Sequence, residues 1–250
     1  MSIFKDIVLS LFADLPSQLQ KYILYTIVKI DQQMLDFNVH PNSTWTAYEI
    51  VDESKILERI PPDLELTSVR IFPDAPERKV LFFNFFKVDS TYLSGNRLEI
   101  VTVVKDKKNG KKRFIIIDYY SDTISSDPEH CIKKPNATKM SFGHNDKILG
   151  CYMEDKYVFI GEMDEVYTYE LSREFAVTCN KNIYYGSKES HLPNYLEFDL
   201  EKISYVCEFK NYKLINSLWT DSIEEEPFIT FYFPKSLEFK IQMDKVTDDE

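Results

Sequence analysis

The sequence has little positive charge and no long apolar run. Its 30 Lys and Arg residues are outnumbered by 41 Asp and Glu residues, which gives a formal net charge of −11 at pH 7. A surface with this balance repels phosphate groups, so the charge argues against nucleic-acid binding and against docking on anionic lipid. Since no apolar run reaches the length of a membrane span either, we predict no nucleic-acid partner and no membrane partner.

Cysteine and histidine are sparse and scattered. The four cysteines lie 20 or more residues apart without a Cys-x-x-Cys pair, and the four histidines are equally dispersed. This spacing predicts no metal site, and without a signal peptide we expect a reduced, cytoplasmic protein. Gly-x-Ser-x-Gly, P-loop and glycine-rich dinucleotide motifs are also missing, so we predict no cofactor.

Aromatic and β-branched residues are abundant instead. Phe and Tyr supply 18 and 16 residues, whereas glycine supplies six. From Asn42 onward, many short strand-like runs follow one another with few helical patterns between them, which predicts an antiparallel sheet curled into a barrel or folded into a sandwich. The clearest turn is Asn109-Gly110, an ideal hairpin pair within the basic stretch Lys105–Arg113. A solvated hairpin tip is the simpler interpretation of these charges, and a basic localisation or anion-docking patch is the alternative.

The N-terminal region has a different periodicity. Through residue 37, apolar residues recur every three or four positions, which predicts an amphipathic helix with one apolar face; they include Leu19, Ile23, Ile27, Ile30 and Met34. Such a face docks on its own domain or on a sister subunit, and we predict a homo-oligomer. We therefore divide the chain into an N-terminal helical segment (1–41), an antiparallel β-barrel domain (42–243) and an acidic tail (244–250).

One strand carries an acid in an apolar row. In RLEIVTVV, one face holds Leu98, Ile100, Thr102 and Val104, and the other holds Glu99, Val101 and Val103. Because both faces are largely apolar, we expect this strand to be covered on both sides. Glu99 then needs a partner or a raised pKa. The alternative is a glutamate near the strand end whose carboxylate reaches water.

Three stretches carry a family resemblance. They are AYEIVDESKILERIPPDLEL, which predicts a strand and a short helix, YLSGNRLEIVTVV, which contains Glu99, and FIIIDYYSDTISSDPEHCIKKP, which ends in two lysines and a proline. In this order they resemble the acetoacetate decarboxylase superfamily, over roughly residues 47–140. The resemblance implies a mainly β (α+β) fold: an antiparallel cone-like β-barrel with an interior pocket, here with an N-terminal amphipathic helix.

The resemblance also implies a reaction. Lys133 would form a Schiff base with a small keto acid or another carbonyl compound, beside its neighbour Lys134, and Glu99 would position the substrate. A free lysine with a pKa of about 10 is protonated at neutral pH, so the attacking amine needs an apolar pocket or a second cation nearby. His130 lies three residues from Lys133, and we take it as a substrate-binding residue and proton donor.

The sequence departs from the family at the substrate's carboxylate. The family's decarboxylases have an arginine at the end of the first strand, where this chain has Glu-Ile-Val at 49–51. Such an arginine holds a carboxylate by a bidentate pair. Arg59, Arg70 and Arg97 are candidates to replace it, and we assign substrate binding to Arg97. Pro135 also follows the lysine pair here, whereas in the family a proline precedes it.

Three classes of function remain open at this stage. The enzyme uses Lys133 as a nucleophile, the binding protein keeps a small-molecule pocket without the chemistry, and the assembly protein fills its barrel with aromatic side chains. The enzyme needs Lys133 or Lys134 buried within reach of Glu99 and facing a cavity. The binding protein needs the cavity but tolerates two solvated lysines on a loop. The environment of Lys133 and the filling of the barrel interior therefore separate the three classes.

Overall fold

Strands dominate the part of the chain that the structure describes. The computed structural model describes residues 19, 35–90, 94–121, 136–137, 140–145, 148–153, 156–179, 183–186, 191–194, 196–198, 205–214 and 219–241. Within these ranges the strands are β1 Leu35–Val39, β2 Ser43–Glu49, β3 Leu64–Leu66, β4 Val80–Ser90, β5 Ser94–Asp106, β6 Lys112–Ser121, β7 Asn136–Ala137, β8 Met140–Asn145, β9 Ile148–Met153, β10 Lys156–Thr168, β11 Ile183–Gly186, β12 His191–Asn194, β13 Leu196–Phe198, β14 Tyr205–Leu214, β15 Ile229–Phe233 and β16 Leu237–Ile241. The helices are α1 Ser54–Leu57, α2 Arg173–Cys179 and a 3-10 turn, Thr220–Ser222.

All these strands belong to one sheet. Its main path runs β12-β11-β6-β5-β4-β2-β15-β14-β10-β9-β8, while β1 pairs with both β16 and β4. Most neighbours are antiparallel, and β6 pairs in parallel with β11 and β7. The predicted strand-rich antiparallel architecture is therefore confirmed. The predicted closed barrel is not observed, because closure requires pairing between end strands and no described pairing joins β12 to β8.

The sheet begins earlier than the helical periodicity predicts. Residues 35–37 belong to β1, which pairs with strands on both sides. Sheet pairing satisfies the backbone hydrogen bonds here, and such tertiary context overrides a weak local preference for helix. Leu19 is helical and exposed, whereas the rest of the predicted helix before β1 lies outside the described residues, as does the tail. The three-part division of the chain stays a prediction.

The predicted Asn109-Gly110 hairpin is confirmed between β5 and β6. Gly110 has a φ of 71°, a left-handed conformation that glycine adopts without strain. Its amide donates to the Asp106 carbonyl at 2.8 Å, and the Asp106 carboxylate accepts from the Lys108 amide at 2.7 Å. The turn fixes the register of the two long strands that it connects.

Strands β4 and β5 are buried on both faces. Their register pairs Phe83 with Ile100 and Asn84 with Glu99. The apolar face comprises Leu81, Phe83 and Phe85 of β4 with Leu98 and Ile100 of β5. The charged face comprises Phe82, Asn84 and Phe86 of β4 with Arg97, Glu99 and Val101 of β5. All eleven side chains are buried, which confirms the prediction that β5 is covered on both sides.

Different elements cover the two faces. The apolar face packs in one cluster with residues around α1 and β3 and near the 3-10 turn, including Ile56, Leu64, Trp219 and Ile223. Phe82 of the charged face meets the rings of Phe114 and Phe175, and Phe175 in turn stacks on Phe231. Helix α2 supplies Phe175, and this helix lies against β6. The polar residues of the charged face therefore sit in aromatic surroundings.

Candidate functional site

The centre of the charged face is an ion pair within β5. Arg97 and Glu99 are two residues apart, so strand alternation puts both side chains on the same face. The Arg97 Nη2 and Glu99 Oε1 atoms are 3.2 Å apart. Only 4% of the Arg97 surface and 8% of the Glu99 surface are exposed, so the pair is held almost without water.

Burial dominates the protonation of Glu99. It raises the pKa of the carboxyl above its ordinary value of 4.5, and the positive charge of Arg97 opposes this rise. The ionised form of a carboxyl loses most when water is removed, whereas a neighbouring guanidinium returns only part of that loss. Glu99 therefore takes up a proton more readily than a surface glutamate does.

A buried amide lies directly across from Glu99. Asn84 is the cross-strand partner of Glu99 and is 6% exposed. Its Oδ1 atom has no hydrogen-bond partner among the described residues. A buried acceptor without a donor is costly, and native proteins tolerate few of them. The position is therefore suited to a hydrogen that a ligand or a protonated carboxyl supplies.

Aromatic rings continue the row beyond Asn84. The next positions across the sheet are Trp45 on β2 and Phe231 on β15. The Trp45 ring meets Phe233 edge to face at a centroid distance of 5.4 Å, and Phe231 stacks on Phe175 at 5.7 Å. These rings continue the face that carries the ion pair and make its surroundings less polar than water. Charged groups interact more strongly in such surroundings than they do in water.

The structure brings together two of the predicted site residues. Glu99 and Arg97 form the ion pair, whereas Lys133, Lys134 and His130 lie outside the described residues. The expectation that Glu99 has a buried environment and a partner is confirmed.

The other two candidate arginines lie elsewhere. Arg70 is exposed and pairs with Glu77 at 3.5 Å. Arg59 is half-buried and acts on Tyr120, whose pKa is raised to about 12 mainly by burial, with the Arg59 charge opposing that rise. Tyr120 belongs to the cluster on the apolar face. Of the three arginines considered as replacements, Arg97 is the one beside Glu99.

Asn84 is the site residue that sequence reasoning missed. It is the only amide in the apolar run VLFFNFF of β4, and a polar side chain in such a run needs a partner once the strand is buried. That pattern marks Asn84 as unusual. Its position opposite Glu99 follows only from the β4–β5 register.

Membrane-spanning helices and metal-binding clusters are both absent from the described ranges. No helix there is both long enough and apolar enough to cross a membrane. No group of three or more His, Cys, Asp and Glu side chains in the same ranges is arranged to hold a metal ion.

The fold was compared with known proteins. No family model and no curated protein matches the sequence. Among solved structures, acetoacetate decarboxylase from Legionella pneumophila aligns with a TM-score of 0.54 and 13% identity, over 82% of this chain and 84% of that chain. The enduracididine biosynthesis enzyme MppR, complexed with pyruvate, aligns with a TM-score of 0.52 and 9% identity, over 87% and 93% of the two chains. This chain therefore has an acetoacetate decarboxylase-like fold, as the sequence resemblance implies.

Proposed function

We propose that this protein acts on a small keto acid or another carbonyl compound through a lysine Schiff base. The observation that carries the proposal is the buried Arg97–Glu99 pair in an aromatic setting on an acetoacetate decarboxylase-like fold. A buried arginine recognises a carboxylate, and a buried glutamate with a raised pKa handles a proton. MppR, which has a similar fold, was solved with pyruvate bound, and this supports a keto acid as the ligand class.

In the proposed reaction, Lys133 is the nucleophile. Its neutral amine attacks the carbonyl carbon, a nitrogen–carbon bond forms, and the carbonyl oxygen leaves as water after protonation. The resulting iminium withdraws electrons from the adjacent bond, which permits loss of carbon dioxide from a suitable keto acid. Lys134 supplies a neighbouring positive charge, His130 donates a proton, and Glu99 orients the substrate.

The setting of this site is part of the proposal. We propose that the sheet closes into a cone-like barrel around the ligand. The helical segment predicted over 1–41 then ends before β1, the barrel domain predicted over 42–243 also includes β1, and a tail (244–250) follows. We also propose a cytoplasmic homo-oligomer. The apolar face of the N-terminal helix is the part of the sequence that supports association between subunits.

A non-catalytic binding protein is the second candidate. Its support is the end of β2, where residues 49–51 provide no arginine and Glu49 forms an ion pair with Arg78. A barrel without a carboxylate anchor at that position can bind a carbonyl compound without turning it over. In this reading the charged face still binds the ligand.

Borohydride trapping separates the two candidates. The protein is incubated with a panel of small keto acids and aldehydes, reduced, and analysed by peptide mass spectrometry. We expect one adduct, on Lys133 or Lys134, that disappears in Lys133→Arg or Lys134→Arg respectively. The exposed hairpin variant Lys108→Arg is the matched control and retains the adduct. Weak labelling spread over many surface lysines would exclude the Schiff base and favour the binding protein.

A further inference from the structure

A ligand carboxylate at Arg97 creates a problem of charge. Among the residues that the structure describes, the buried site contains one cation, Arg97, and one acid, Glu99, with the Arg97 Nη2 and Glu99 Oε1 atoms 3.2 Å apart. If a keto acid places its carboxylate on the same guanidinium, two negative charges share one positive charge with little water to screen them. An unbalanced buried charge is expensive, and a protein avoids it by binding a proton.

We propose that Arg97 binds the carboxylate of the ligand and that Glu99 takes up a proton in the same step, exchanging its ion pair with Arg97 for a hydrogen bond to Asn84. The inference rests on the proposed function for the identity of the ligand as a keto acid. It assigns the carboxylate subsite to β5 and not to the end of β2. Binding is then coupled to the uptake of one proton.

Asn84 supplies the hydrogen-bond acceptor that a protonated Glu99 needs. Its Oδ1 atom is buried, has no hydrogen-bond partner among the described residues, and belongs to the residue directly opposite Glu99. Side chains at such positions have Cβ atoms about 4.5–5.5 Å apart, which carboxyl and amide groups readily span. An ionised Glu99 cannot satisfy this acceptor, because it has no hydrogen to donate. A protonated Glu99 can.

Apart from Arg97, no described charged group near Glu99 contributes to the proton balance. Arg97 is the charged group that acts on the Glu99 carboxyl. On β4 the nearest charged residue, Lys87, belongs to the opposite face by strand alternation, and on β3 Glu65 pairs with Lys105 towards the other end of β5. Tyr119 of β6 stands opposite Glu99 in the register, and β8, which approaches β5, carries one titratable residue, His144. The proton therefore comes from solvent, and no bond is made or broken besides this transfer.

Calorimetry with propionate tests the proposal directly. Propionate has a carboxylate but no ketone, and propionamide is its uncharged counterpart. Titrations in buffers with different ionisation enthalpies report how many protons are bound with each ligand. At pH values above the raised pKa of Glu99, we expect about one proton taken up per propionate and none with propionamide. In the same range the propionate Kd should rise about tenfold per pH unit.

Substitutions at Glu99 and Asn84 test whether Glu99 is the group that takes up the proton. Glu99→Gln cannot take up the proton, so propionate should bind it without proton uptake and with a Kd that no longer depends on pH. Asn84→Leu removes the acceptor for the protonated carboxyl and should weaken propionate binding at least severalfold. Arg70→Gln, an exposed arginine in a surface pair, is the matched control and should bind as the unaltered protein does.

Three results would overturn the inference, and they do not depend on catalysis. They are binding of propionate without proton uptake at a pH above the pKa of Glu99, binding of propionamide as tightly as propionate, and no binding of propionate by the unaltered protein. The measurements on the unaltered protein decide the matter even where Glu99→Gln or Asn84→Leu fails to fold. Proton uptake without a borohydride adduct would sustain the inference and exclude the Schiff base, whereas an adduct without propionate binding would do the reverse.

Discussion

The two faces of strands β4 and β5 are equally buried but differ in chemistry. On the apolar face, Phe83 and Ile100 stand opposite each other in a cluster of apolar side chains. On the charged face, the next pair along the strands is Asn84 and Glu99, with Arg97 beside them. The apolar face stabilises the sheet in the ordinary way, by removing hydrocarbon from water. The charged face loses solvation free energy at the same depth, so its polar residues need a different explanation.

A second comparison shows how much burial changes an ion pair. Arg70 and Glu77 make the same kind of pair as Arg97 and Glu99, but their side chains are 46% and 45% exposed. Exposed pairs contribute little, because water screens both charges in either state. A buried pair is costly to build and costly to break, and replacing both partners by apolar groups is often neutral or stabilising. A site that keeps such a pair is therefore a candidate for function.

The largest expected effect comes from breaking the buried pair. Arg97→Met leaves Glu99 without its counter-charge, and we expect the free energy of unfolding at neutral pH to fall by about 3–5 kcal/mol in urea titrations. Arg70→Met, the exposed control, should cost at most about 1 kcal/mol. Arg97→Met combined with Glu99→Leu should recover most of the loss. Equal costs for the two single variants would contradict the comparison.

The second-largest expected effect is a loss of stability from a cavity on the apolar face. Leu98 is 2% exposed within the cluster, and Leu98→Ala leaves a cavity there that should cost about 2–5 kcal/mol. Its side chain points away from Arg97 and Glu99, so propionate should bind the folded variant with an unchanged Kd. Urea unfolding and calorimetry on one preparation test both halves of this prediction. A large change in Kd would show that the two faces do not act separately.

The charged face, unlike the apolar face, should make the stability of the protein depend on pH through Glu99. Because burial raises the folded-state pKa of Glu99 above 4.5, the folded state holds the proton more tightly than the unfolded state does. The stabilisation from Glu99 is therefore fully present below that value and is lost as the pH rises through the raised pKa, with a slope of at most about 1.4 kcal/mol per pH unit. Urea unfolding across this window should show the loss in the unaltered protein and a flatter profile in Glu99→Gln. Identical profiles would mean that Glu99 does not titrate there.

The smallest expected effect is the loss of the hydrogen bonds that hold helix α2, which carries Phe175, in place. The Ser172 hydroxyl accepts a hydrogen bond from the Phe175 amide at 3.0 Å and donates one to the Arg70 carbonyl, so it ties the start of α2 to the segment before β4. Ser172→Ala should lower the free energy of unfolding by about 0.5–2 kcal/mol. Thr178→Ser is a mild control at the end of the same helix, where the hydroxyl donates to the Glu174 carbonyl. A cost for Ser172→Ala no larger than that for Thr178→Ser would argue against this role.

Several features of the site were predictable because they depend on neighbours in sequence. Alternation within β5 put Glu99 in an apolar row, and the same alternation puts Arg97 on its face, since the two are separated by one residue. The Asn109-Gly110 turn was predictable because its left-handed position, at Gly110, favours glycine. The strand at residues 35–39 was not, because its hydrogen bonds go to β16 and β4, which lie far along the chain.

By itself, the sequence determined the strand-rich character of the protein, the hairpin between β5 and β6, and the presence of an acid in a strand that is apolar on both sides. These are local properties that depend on side-chain alternation and turn chemistry. Only the tertiary structure decided that Asn84 stands opposite Glu99, that Arg97 and not Arg70 or Arg59 is the buried cation beside it, and that Trp45 and Phe175 border the charged face. The physical reason is that strand register and the packing of distant elements set burial, and burial decides whether a charge is solvated and costs little or is enclosed and shifts its neighbours' protonation.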